Sequence, residues 1–172
     1  MAIRPLCLIP DPLLRQVAAP VEQIDDTTRQ LLDDMLETMY DAPGIGLAAP
    51  QIGISRRVIV MDCSDDEEPP QIWRMINPQI IATSDEEAVR EEGCLSIPGH
   101  HGEVCRPASV HVRYLDETGS ACEMQAEGLL AACVQHEIDH LNGVLFIDYL
   151  SRLKRDMIIR KMTKEARHRS DT

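Results

Sequence analysis

A chain of 172 residues, 44% hydrophobic and 27% charged, is long enough to bury a core without disulfide staples and suits a single domain spanning 1–172. No stretch approaches the roughly 20 apolar residues that a membrane helix needs, which excludes a helical membrane protein. Net charge is −12 but uneven: residues 151–172 hold eight Lys/Arg against three acids, and the first 150 hold nine basic and 26 acidic side chains. An acidic body with a basic tail suits contact with an anionic partner, and equally a solvated, ion-paired helix face.

The N-terminal stretch MAIRPLCLIPDPLLRQ lacks the apolar run of a signal peptide and is interrupted by Pro5, Pro10 and Pro12, so a cytoplasmic protein with reduced cysteines is expected. Asp25 to Tyr40 carries Leu31, Leu32, Met35, Leu36 and Met39 at helical spacing, with Thr27 and Gln30 as a capping box and Pro43-Gly44 as its end. APGIGLAAPQIG (42–53) is punctuated by Gly and Pro. RRVIVMD (56–62) is a β-branched strand followed by the acidic loop SDDEEPP. IWRMINPQII (72–81) is strand-like with a break at Asn77-Pro78. GHHGEVCRP (99–107) has the look of a loop with exposed histidines. SVHVRYLDETGSACEMQAEG (109–128) predicts a hairpin turning at Glu117–Gly119. A helix follows from about Leu129 to Leu141, stopped by Asn142-Gly143. VLFID predicts a short strand, and Ser151 caps a basic last helix at about 151–168. Strands in the middle with helices around them make an α+β class.

The run QHEIDHLNGVLF puts His136 and His140 one turn apart on one helix face, where they can hold one ion, with Glu137 beside them to work on an activated water. A catalytic site needs a third ligand and an open position. One class of zinc endopeptidase takes a later histidine, but Phe146 fills that slot here. Upstream, EEGCLSIPG (91–99) offers Cys94, and a thiolate is a strong ligand for zinc or ferrous iron. Cys133 shares the histidines' helix face. As a fourth ligand it would close the site into a structural metal-binding interaction module; as a pocket wall it would leave the site open.

Three segments in this order, GIGLAAPQ (44–51), EGCLS (92–96) and QHEIDHL (135–141), resemble the signature motifs of bacterial peptide deformylases of type 1. The resemblance extends from PDPLLR to GVLFIDYLSRLKR and covers nearly the whole chain. It implies antiparallel strands around the HExxH helix and removal of the formyl group from the N-terminal formyl-methionine of nascent peptides. It assigns metal binding to Cys94, His136 and His140, general acid/base work to Glu137, and oxyanion stabilisation to Gln51 and the Leu95 N–H. The family's usual ion is Fe²⁺, with Zn²⁺, Ni²⁺ or Co²⁺ able to replace it.

Gly44 and Gly46 leave room for an extended substrate backbone, and Gly93 joins them beside Cys94. By the same resemblance, Ile45, Leu129 and Cys133 line a methionine pocket. Arg90 departs from the apolar residue often found at its position and is expected to narrow, reshape or rim that pocket. In some members the C-terminal helix docks on the ribosome, which the basic tail fits; nothing points to DNA or a membrane.

Overall fold

A computed structural model describes residues 2–171. Helix α1 spans Asp26–Asp41, α2 Gly128–Leu141 and α3 Arg152–Ser170. Five antiparallel strands form one sheet in the order β1 (Gly46–Ala48), β2 (Val58–Asp62), β3 (Ile72–Thr83), β6 (Ser109–Leu115), β7 (Ala121–Glu127). Strands β4 (Glu87–Cys94) and β5 (Ile97–Pro107) pair separately as a hairpin. Among the described residues no helix is long and apolar enough to cross a membrane.

Side chains alternate across a strand, and here both faces of the large sheet are covered. From β2, Ile59 and Met61 pack with Val134, Ile138 and Leu141 of α2. Val58 and Val60 face the other way, onto Leu32, Met35 and Met39 of α1. The sheet therefore lies between the two helices, and every residue of β2 is buried. Each such Leu, Ile or Met contributes about 1.5–3 kcal/mol by leaving water. A third cluster joins Ile97 and Val104 of β5 to Phe146, Ile147, and Ile158 and Met162 of α3.

Four details differ from the sequence expectation. Asp25, not Thr27, caps α1: its carboxylate accepts from the Thr28 N–H at 3.0 Å. VLFID does not extend; Phe146–Tyr149 forms a 3-10 turn because the Asp148 carboxylate reaches back to the Leu145 N–H at 3.1 Å. Residues 99–107 are strand, and 101–107 pair with 87–93 of β4. Their alternation is real, with 101, 103 and 105 outward, but the inward positions are His100, Gly102, Val104 and Arg106, so it does not register as hydrophobic. The break at Asn77-Pro78 is a bulge within a continuous β3, where Asn77 adopts φ 52° and its side chain bonds both the N–H and the carbonyl of Val21.

Candidate metal centre

On α2, His136 and His140 meet edge to face with ring centroids 5.0 Å apart, both buried. The tip of the β4–β5 hairpin brings Cys94 to them, its Sγ 3.4 Å from His140 Nε2. One ligand atom from each of Cys94, His136 and His140 lies within 4.8 Å of the others, the span of a shared ion. Phe146 does not enter this cluster. Its ring lies nearly parallel to that of His136, 6.3 Å away, and walls the histidine in.

The electrostatics of the cluster call for a cation. His136 Nδ1 contacts Glu92 Oε1 at 2.9 Å, which leaves Nε2 toward Cys94. Burial works against a charge on His136, yet its bonds to Cys94 and Glu92 outweigh it and push its pKa well above the usual value. Burial and the neighbouring His136 push His140 well below its own, and its buried Nδ1 has no partner. Two imidazole nitrogens and a cysteine sulfur converging on one point fit a divalent ion, which would hold the sulfur as its thiolate.

Sequence reasoning missed the frame around His136. Glu92 takes two bonds from Arg106, from Nε at 2.7 Å and Nη2 at 2.9 Å. Arg106 also bonds Asp139 at 2.8 Å and lies over the ring of Tyr149, whose hydroxyl donates to Asp139 at 2.7 Å. Burial alone would raise the Glu92 carboxyl; the bonds from Arg106 and His136 prevail and hold it at about 2. The available signal was Glu92 itself, an acid two residues from a ligand cysteine.

Glu137 lies beside the cluster, buried, with Oε2 lacking any partner. Burial raises its pKa to about 7. A carboxyl poised near neutrality can both take and return a proton. Gln51 is anchored by its Oε1, which accepts from the Ala48 N–H at 2.9 Å, so its amide nitrogen is turned toward Ser96 Oγ at 3.1 Å and Cys94 Sγ at 3.6 Å.

These groups line one cleft of about 830 Å³, together with Leu95 and all the expected pocket residues: Gly44, Ile45, Gly46, Gly93, Leu129 and Cys133. Ile45 and Leu129 are 44% and 45% exposed, so they are cleft wall and not plain core. Cys133 turns its thiol to the Ile45 carbonyl at 3.7 Å and stands outside the ligand cluster. At Gly46 a Cβ would lie 2.6 Å from Glu137 Oε1, so only glycine lets the chain pass this close to the acid. Arg90 does not line the cleft: its guanidinium lies beside Gly128, in a crevice behind the start of α2. His101, by contrast, stands at the cleft mouth against Gly93.

The family described as Polypeptide deformylase matches residues 3–156. The chain belongs to this family. The peptide deformylase of Rhizobium meliloti (strain 1021) is 59% identical over 169 residues, covering 98% of this chain and 97% of the relative. Among solved structures, a peptide deformylase from Legionella pneumophila matches with a TM-score of 0.89 and 47% identity, covering 99% of both chains. The peptide deformylase of Ehrlichia chaffeensis in complex with actinonin matches with a TM-score of 0.92 and 42% identity, over 96% of this chain and 98% of that one. The α+β architecture with antiparallel strands is thus that of the deformylases, and the family match takes in both the Cys94 hairpin and α2.

Proposed function

We propose that Cys94, His136 and His140 hold one divalent cation and that Glu137 moves the proton in hydrolysis of an N-terminal formyl group. The family's reaction removes formyl from formyl-methionyl nascent peptides and releases formate. The observation that carries the site assignment is the convergence of three ligand atoms within 4.8 Å beside a buried acid with an unpartnered oxygen. A divalent cation there supplies the acidity that makes water nucleophilic near neutral pH and the charge that polarises the formyl carbonyl.

Glu137 accepts the proton of the attacking water and returns it to the leaving amine, which its pKa of about 7 suits. The Gln51 amide N–H and the Leu95 backbone N–H donate to the carbonyl oxygen as it gains charge; losing one such donor costs about 10²–10³ in rate. Strand β1 is the edge of its sheet, so a peptide laid along Gly44–Gly46 gains main-chain bonds as an added strand. Ile45, Leu129 and Cys133 then offer apolar surface to the methionine, with Gly93 on the facing hairpin letting the His101 ring close over it at the cleft mouth.

The endopeptidase reading fails for want of its third ligand, because Phe146 packs on His136 instead of binding an ion. A closed structural site is disfavoured because Cys133 faces Ile45. By resemblance to the family the ion is Fe²⁺, with Zn²⁺, Ni²⁺ or Co²⁺ as substitutes; elemental analysis of anaerobically purified protein decides among them. We read residues 1–172 as one cytoplasmic deformylase domain. Its α3 exposes Lys154, Arg160, Lys161 and Lys164 for salt-sensitive contact with ribosomal RNA. Neutralising these four keeps Ile158 and Met162 in the core and should abolish co-sedimentation with ribosomes at low salt; undiminished co-sedimentation rejects the contact.

The activity test offers the reduced, metal-loaded protein three peptides: formyl-Met, acetyl-Met and unblocked. Formate from the first alone is expected. Cleavage of internal bonds, or no turnover with metal bound, overturns the reading.

A further inference from the structure

Cys63 and Cys133 come from different elements and meet behind the cleft wall. Cys63 directly follows β2, whose last residue, Asp62, donates its N–H to the Ile45 carbonyl at 2.9 Å. The Cys133 thiol reaches that same carbonyl from α2 at 3.7 Å. Cys63 packs on the core cluster that contains Met61 and Cys133, so the two thiols lie on the same side of β2, beside the Ile45 carbonyl, and each shifts the other's pKa. The cleft gives small oxidants a way to Cys133, and Cys63 is only partly buried.

The remaining cysteines are placed differently. Cys105 and Cys122 rest against the carboxylates of Glu87 and Asp116; the Glu87 bond raises the pKa of Cys105, and burial, with Asp116, raises that of Cys122. Burial, with Asp11, also raises that of Cys7. Cys94 belongs to the metal centre. Cys63 alone is shifted the favourable way, its pKa lowered by the neighbouring Cys133 against burial and the nearby acids. The thiolate is the reactive form of a cysteine.

We propose that Cys63 and Cys133 are an oxidisable dithiol that closes to a disulfide under hydrogen peroxide and thereby reshapes the methionine pocket. The Cys63 thiolate attacks one peroxide oxygen, the O–O bond breaks, and hydroxide leaves and is protonated to water. The resulting sulfenic acid is attacked at sulfur by Cys133; the S–O bond breaks, and the hydroxyl departs with the Cys133 proton as a second water. Two thiols and one peroxide thus give one disulfide and two waters, and a dithiol reductant reverses the change.

Forming the bond brings the sulfurs to about 2.05 Å. Cys133 Sγ is then drawn from the cleft wall toward β2. It leaves the Ile45 carbonyl and the close approach to Gly46, where a Cβ would lie 2.9 Å from it. The wall against which the methionine side chain would pack moves, whereas the ligand atoms of Cys94, His136 and His140 do not take part. The effect on substrate rests on the deformylase reading; the cross-link does not.

The test treats nickel-loaded protein with a small excess of peroxide, then maps thiols by alkylation and mass spectrometry without reduction. The expected result is a peptide pair joined through Cys63 and Cys133 with nickel content unchanged. The KM for a formyl-methionyl peptide should rise about tenfold, as for a misplaced methylene-sized group in an apolar pocket, and fall back on reduction. Cys63→Ser should keep the reduced enzyme's KM under peroxide. Free Cys63 and Cys133 after treatment, or a cross-link without a change in KM, overturns the proposal. Failure of the reduced enzyme to release formate counts against the deformylase reading instead, and the peptide map still decides whether the dithiol closes.

Discussion

The Glu92 carboxylate lies 2.9 Å from His136 Nδ1 and fixes which ring nitrogen faces Cys94. Outer partners of this kind raise a ligand's basicity and hold its ring in place, and losing one typically costs 10–100-fold in metal affinity. Glu92→Ala should therefore weaken metal binding by about 10–100-fold while the helix stays folded. Competition with a chromogenic chelator measures it. Unchanged affinity would mean that α2 and Phe146 orient His136 unaided.

Arg106 is the keystone of the same network, bonded to Glu92 and Asp139 and stacked on Tyr149. Truncating one member of a buried ion pair strands the other charge, at a cost of about 3–5 kcal/mol. Arg106→Met should lower the urea midpoint accordingly. Arg106→Lys should rescue little, because a point charge cannot supply two parallel bonds to Glu92 and a third to Asp139. A lysine variant with native stability would show that charge alone matters here.

Glu137→Gln keeps the size of the side chain and removes the base. Its partnerless Oε2 supports no hydrogen bond in the fold, so the variant should fold, bind metal and lose about 10²–10⁴ in kcat. Metal stoichiometry and formate release, measured on one sample, separate the two effects. Retained turnover would remove Glu137 from the mechanism.

What the sequence disclosed, and what it hid, follows from the range of the interactions. Helices α1 and α2 and the β6–β7 hairpin rest on local signals, namely 3.6-residue periodicity and the Asp116–Gly119 turn, and each lies within a few residues of its expected bounds. The histidine pair is likewise local, two ligands one turn apart. Strand β5 was hidden because its inward positions include His100, Gly102 and Arg106, none of them an apolar side chain: Gly102 makes room for Leu150, and Arg106 joins the Glu92 frame. The Glu92–Arg106–Asp139–Tyr149 frame was hidden for a related reason: it joins two strands, a helix and a 3-10 turn, and only the fold makes them neighbours. Arg90 misled because its position along the strand did not reveal that its side chain passes behind α2 and away from the cleft.

Gly46 offers a test of close packing in the cleft. A methyl at this position would meet Glu137 Oε1 at 2.6 Å and Cys133 Sγ at 2.9 Å, nearer than real Cβ atoms come. Both neighbours sit on buried α2, which cannot shift freely. Gly46→Ala should displace Glu137, so kcat should fall while metal content holds. Native kcat together with native metal content would mean that Glu137 tolerates displacement, against the proposed proton transfer.

Asp34 ties the first residues of the chain to α1 and gives a pH signature far from the metal. Its carboxylate, almost wholly buried, accepts from the Ala2 N–H at 2.8 Å, from Arg4 at 2.7 and 3.0 Å, and from Gln30 at 2.9 Å. Burial alone would raise its pKa, but these bonds outweigh it and hold the folded value below 3.8. The folded state therefore favours the ionised acid. The stability this contributes is complete above the unfolded pKa and is lost as pH falls through the folded one. Asp34→Asn should be less stable than the parent by a constant amount above about pH 5, with the gap narrowing below about pH 4. Urea midpoints of both proteins from about pH 3 to pH 7 give the difference directly, and comparing two chains with the same metal centre cancels acid release of the ion. A gap that stays constant, or widens toward acid, would show that the Arg4 and Gln30 bonds do not select the ionised form.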